Sequence, residues 1–233
     1  MATFLGSSRN FISTMSEFES NVRRFADKVD STDRYASFDY CFNYFQRRRK
    51  DPQTMLGKNL ELSCNQLGFY LASWGMLRGS SFLLQRSVKH FVPLVELIAS
   101  APNELWELDV HKYDTERLEL IMEWTPKIQE ALHPKGWKVY EGVASDILVT
   151  KILLGVFGCV PAFDTYFKKG FGVSTFSKGS LRKVGMFYAD HAQEIEGLRQ
   201  PTIDFATGMP SEILYTRAKV IDMAFFVAGG YGN

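Results

Sequence analysis

The chain has 233 residues, 45% of them hydrophobic and 23% charged, with 27 basic against 26 acidic side chains and a net charge of +1. Those values exclude wholesale disorder and leave room for one domain with a substantial core, or two closely packed lobes. No window approaches the roughly 18 uncharged apolar residues of a membrane span, and the first ten residues carry no signal-peptide pattern. A cytoplasmic protein with no membrane partner is expected. Cys41, Cys64 and Cys159 are odd in number and widely spaced among Phe, Leu and Val, which suits free buried thiols better than a disulfide frame.

Helical spacing dominates in chain order. Phe11, Met15, Phe18, Val22, Phe25 and Val29 form a first stripe, and Tyr35, Phe38, Phe42 and Phe45 a second, which ends at Arg47-Arg48-Arg49-Lys50. Leu60, Cys64, Leu67, Leu71 and Trp74 lie on one face of a third helix. Gly75 and Gly79 then mark a corner, whose Trp74 and Arg78 either pack the next helix or wall a pocket facing an anion. Ser80-Ser81 cap a run from Phe82 to His90, and Pro93 opens a turn of helix through Ile98. Asp114 opens a helix that reaches Leu132 and contains Pro126, and His133-Pro134-Lys135-Gly136 stops it. A lobe junction is expected near residues 133–137. Trp137–Tyr140 alternates like a short extended stretch. An apolar helix follows over Ile147–Phe157, broken in pattern by Lys151, then a turn at Pro161 and a helix opened by Asp164. A basic Gly/Ser loop spans Gly170 to Ser180, a helix runs from Leu181 to about Glu196, and the last helix starts near Pro210-Ser211. Ala228 to Asn233 reads as a loose tail. The sum is an all-α protein of eight to ten helices over residues 1–233.

Charge is uneven along this frame. Glu96 to Glu130 holds nine acids and three bases, whereas Asp164 to Lys183 holds five bases, Lys168, Lys169, Lys178, Arg182 and Lys183, and one acid. Basic side chains beside glycines and hydroxyls suit phosphate, so these five and Arg47, Arg48, Arg49 and Lys50 are candidate contacts to DNA or RNA. A solvated loop and a helix-dipole complement are the plainer readings of the same residues. His90, His111, His133 and His191 are scattered with no metal-ligand spacing, so neither a metal nor another cofactor is expected. Asp164 stands at a helix mouth in apolar surroundings. It is either an ordinary cap or a carboxylate placed to act as a base or to stabilise a cation.

Pro161-Ala162-Phe163-Asp164-Thr165-Tyr166 resembles the Pro-Val-Asp-Thr-His signature of the helix-hairpin-helix DNA glycosylases. The apolar helix before it, Leu153 to Gly158, and Glu141-Gly142-Val143-Ala144 at the place of the family's hairpin extend the resemblance to about 30 residues. The resemblance implies base excision with Asp164 as catalytic carboxylate and Gly142 among the phosphate-binding amides. Ala144 replaces the second hairpin glycine, and the family's lysine position falls near Asp146 or Ile147, so the resemblance implies no lyase step. A function of another class is a non-catalytic helical binding or regulatory protein, as a monomer or a homo-oligomer, that acts through its aromatic surplus.

Overall fold

The computed structural model describes Ile12, residues 14–133 and residues 144–231. Eleven α-helices account for most of them, with one small two-stranded sheet. The fold is all-α. The helices are α1 (Met15–Ala26), α2 (Ala36–Arg48), α3 (Leu60–Ser73), α4 (Val92–Ala99), α5 (Asn103–Trp106), α6 (Thr115–Ala131), α7 (Asp146–Ile152), α8 (Thr165–Phe171), α9 (Lys178–Asp190), α10 (Ala192–Gly197) and α11 (Arg217–Ala228). Gly142 and the stretch 137–140 lie outside the described residues, as does nearly all of the expected lobe junction.

Side-chain caps explain many of the starts. Thr14, Asp114, Ser145, Asp164, Ser177 and Thr216 each accept a bond from a backbone N–H of the first turn of their helix. Asp109 adds a cap from outside: its carboxylate accepts the N–H groups of Arg217 and Ala218 and so anchors the start of α11. From Ala218 to Val227 every residue of α11 is buried, so this helix is the hub of the molecule. Alpha-8 and α1 pack against it, and its core is continuous with the buried faces of the other long helices.

Four boundaries differ from the expected ones. Residues 210–214 form no helix; Pro210–Leu214 is β2, paired antiparallel with β1 (Pro201–Ile203). The hairpin is drawn onto α2, where Asp39 accepts the N–H of Ile203 at 2.7 Å and Asn43 donates to its carbonyl at 2.9 Å. These side chains lie one helical turn apart and mimic a neighbouring strand, which overrides the capping potential of Ser211. Phe82 to His90 is two short 3₁₀ turns, because Arg86 and Ser87 are extended between them. The helix expected through Glu196 breaks at His191, whose backbone leaves the helical region. Finally, Tyr231 in the supposed loose tail packs edge-on against Tyr35 and Tyr166 and close to Phe226.

Alpha-7 ends in a wide π turn, Leu153–Phe157, where the Gly158 N–H bonds to the Leu153 carbonyl. Such turns leave carbonyls to be satisfied elsewhere. Here Tyr70 donates to the carbonyl of Lys151, Gln46 to that of Val156 and Tyr113 to that of Cys159. The result is a rigid chain reversal that carries residues 159–164 back beside α7.

Candidate functional site

Asp164, the cap of α8, lies 9% exposed at the base of a cavity of about 200 Å³. One carboxylate oxygen accepts the Phe167 N–H at 3.0 Å, and the other stands 3.4 Å from Nζ of Lys151. The π turn is what brings Lys151, at the end of α7, opposite Asp164 across the reversal. Burial holds the Lys151 ammonium below the ordinary lysine range, and Asp164 and Asp222 pull it partly back.

A second ion pair lies behind the first. Lys219 and Asp222 of α11 are 1% and 3% exposed, and Nζ of Lys219 is 3.3 Å from the Asp222 carboxylate. Asp222 also accepts the Ala162 N–H at 2.9 Å, which pins the turn before Asp164. Burial pushes the Asp222 carboxyl up, and Lys219 opposes it. The two pairs share one aromatic neighbour. Nζ of Lys151 is 5.1 Å and Nζ of Lys219 is 5.0 Å from the ring of Trp74, and Lys219 also faces Phe25 and Phe38. The indole N–H of Trp74 is buried and has no acceptor among the described residues.

The walls of the cavity are Trp74, Tyr166, Phe226 and Tyr231, and two exposed cations, Arg34 and Arg78, line it. Arg34 donates to the hydroxyl of Tyr231 at 2.6 Å and lies over the ring of Tyr35. Arg78 is placed by the corner. Gly75 has φ of +77°, and Arg78 Nε stands 2.9 Å from where its Cβ would be, so both the turn and the path of the arginine need glycine. Lys28 lies over the outer Tyr231 ring, and Nζ of Lys169 lies beside Gly230. Chemically, this is a small, aromatic-walled, cation-rimmed pocket whose floor offers one carboxylate and one amine.

The other sequence candidates are dispersed. Arg47 is bound by Asp204 at 2.9 Å and Glu212 at 3.3 Å, and it ties α2 to the hairpin. Arg48 stacks on Tyr44 and donates to its carbonyl, Arg49 donates to Gln46, and Lys50 is exposed beside them. Lys178 pairs with Glu119 at 3.0 Å, so the basic loop leans on the acidic segment. Arg182 and Lys183 are exposed on α9, and Lys168 is half-buried on α8; none of the three lines the cavity. Among the described residues no cluster of three His, Cys, Asp or Glu side chains is placed to hold a metal ion. The three cysteines are buried and free, and burial pushes the Cys41 and Cys159 thiols up. No described helix is long and apolar enough to cross a membrane.

Of the residues singled out in the sequence, Asp164, Trp74 and Arg78 line the cavity, whereas Lys151 as a site residue, Lys219, Asp222, Arg34 and Tyr231 were not singled out. A signal existed for three of them. Lysine and aspartate are almost never fully buried unless paired, so an ionisable residue within an apolar helical run marks a charge with a hidden partner. No protein-family model, curated protein or solved structure matches the chain.

Proposed function

We propose that the protein binds nucleic acid and acts on a single base drawn into this pocket, with Asp164 as the carboxylate at the reacting centre. The observation that supports the reading is the seat of Asp164: a helix-capping, nearly buried carboxylate beside an ammonium, under aromatic rings and inside a rim of cations. A cavity of about 200 Å³ is smaller than the roughly 300–1,000 Å³ of drug-sized sites and suits one planar ring system. Tyr166, 41% exposed, offers a face for stacking. Arg34 and Arg78 meet the flanking phosphates.

In this reading the glycosidic bond breaks with its electron pair leaving on the base. The Asp164 carboxylate stabilises the sugar cation, takes a proton from the water that adds to it and passes that proton to the departing base, so that Asp164 returns to its starting state. Lys151 holds Asp164 in place and balances its charge. Fluorescence anisotropy with intact duplex, abasic duplex and single-stranded probes tests the binding. Affinity is expected to fall steeply with salt, and Arg34→Gln or Arg78→Gln to lower the salt slope by about one phosphate contact each. Asp164→Asn is expected to keep binding and lose base release. Salt-independent binding, or base release undiminished in Asp164→Asn, overturns the reading.

A further inference from the structure

The base-excision reading leaves one reactive group with only a supporting part. Lys151 is 4% exposed, yet it lines the cavity floor. Three conditions meet at this lysine: a neighbouring acid to carry protons, an opening to a cavity, and charges at the opening that select a ligand. Lys151 has Asp164 at 3.4 Å, the cavity before it, and Arg34 and Arg78 along its walls.

We propose that Lys151 forms an imine with the carbonyl carbon of a small anionic aldehyde or 2-oxo acid whose phosphate or carboxylate is held by Arg34 and Arg78. The inference needs the pocket but neither nucleic acid nor base excision. The cavity volume limits the ligand to a small molecule. The two arginines, against the single carboxylate already paired with Lys151, demand a negative ligand. Apolar walls of Trp74 and Phe226 exclude water from the carbon–nitrogen bond as it forms.

The step balances within the pair. The Lys151 ammonium gives one proton to Asp164, and the freed lone pair of Nζ attacks the carbonyl carbon. The carbonyl π electrons move to oxygen, which takes the proton from Asp164. The nitrogen returns a second proton to Asp164, which then protonates the hydroxyl so that it leaves as water. The products are an iminium on Lys151, one water and Asp164 in its starting state. Burial is what makes the neutral amine accessible, since it lowers the proton affinity of Lys151. The charged groups bearing on Nζ are Asp164 from the start of α8 and Asp222 and Lys219 from α11, with Arg34 and Arg78 on the cavity wall. Lys219 adds to the lowering and the two carboxylates oppose it.

Reductive trapping tests the proposal on the full chain. The protein is incubated with glyoxylate in one arm and glycolaldehyde phosphate in the other, each with cyanoborohydride, and the adduct is located by peptide mass mapping. Lys151 is expected to label at least about tenfold faster than exposed Lys28 or Lys50, as a lysine with lowered proton affinity does. Its rate is expected to reach half-maximum at a pH below the ordinary lysine value. Labelling is expected to vanish in Lys151→Arg, which keeps the charge opposite Asp164, and to slow in Arg34→Gln and Arg78→Gln. The faster arm tells which anion the arginines prefer. Because mapping of the wild-type protein alone locates the adduct, a variant that fails to fold leaves the test intact. Label spread evenly over exposed lysines, or a Lys151 that stays unmodified in both arms, overturns the proposal. Lys151 labelling without any DNA or RNA binding supports it and removes only the nucleic-acid reading.

Discussion

Lys151 and Asp164 are nearly buried and pair at 3.4 Å, so each compensates part of the hydration the other loses. Removing one partner of such a pair leaves an uncompensated buried charge and typically costs about 3–5 kcal/mol, whereas replacing both with well-packed apolar groups can cost little. Asp164→Asn keeps the cap on Phe167 and isolates the ammonium. It is expected to destabilise by roughly 3 kcal/mol, with Lys151→Met restoring part of the loss in the double variant. Urea denaturation of the four forms measures the coupling, and additive losses would show that the two side chains do not act as a pair. The same residues mark the limit of sequence reading. Asp164 was legible because it opens a helix after a proline turn. Its partner was not, because Lys151 sits 13 positions earlier and only the π turn, which has no spacing signature, folds the two together. Lys219 and Asp222 stand differently: three apart on one helix, both interrupt the apolar run of α11, and that run was the signal for a buried pair.

At the scale of elements, the site depends on how closely α8 approaches α11. Gly170 faces the carbonyl of Phe225, Gly229 faces the carbonyl of Tyr166, and neither position has room for a Cβ. Gly170→Ala and Gly229→Ala are expected to push the helices apart and lower thermal stability by several degrees or prevent folding. Gly197→Ala, which meets nothing within 4 Å, is expected to be neutral or stabilising by about 0.5 kcal/mol. Equal melting temperatures for all three would refute the close contact. The hairpin makes a second prediction. Burial pushes the Asp39 carboxyl from 3.8 up to about 6, with the Ile203 N–H, the Tyr215 hydroxyl and Lys219 opposing it. Between those values the folded chain binds more protons at Asp39 than the unfolded chain. Stability from this group therefore falls as pH rises from about 4 to about 6, by on the order of 3 kcal/mol, and is level above. Denaturant midpoints across that range should slope in the wild type and flatten in Asp39→Asn; an unchanged slope assigns the titration elsewhere. The helix stripes in α1, α2 and α3 were readable from spacing, and α6 from the Asp114 that opens it. The hairpin was not, since its strands are defined by Asp39 and Asn43, some 160 residues away in sequence.

Across the whole molecule, the aromatic surplus goes inward. Phe18, Phe25, Phe38, Phe42, Phe167 and Phe225 interlock between helices, and the strongly exposed rings among the described residues are Phe69, Tyr166 and Phe205. The two charge poles read from the sequence also meet within the fold at one point, where Lys178 of the basic segment pairs with Glu119 of the acidic one. The cations that surround the cavity come instead from the chain between α1 and α2 and from the corner after α3. Neither was conspicuous as a cluster, because their proximity is a product of packing. Trp74 stands where these threads cross: two ammonium groups approach its ring, and it forms both wall and floor of the cavity. Trp106 and Trp124 lie apart from it, against Phe157. An indole emits according to the charges beside it, and any occupant of the cavity alters those charges. The molecule thus has an optical reporter built into the floor of its own pocket.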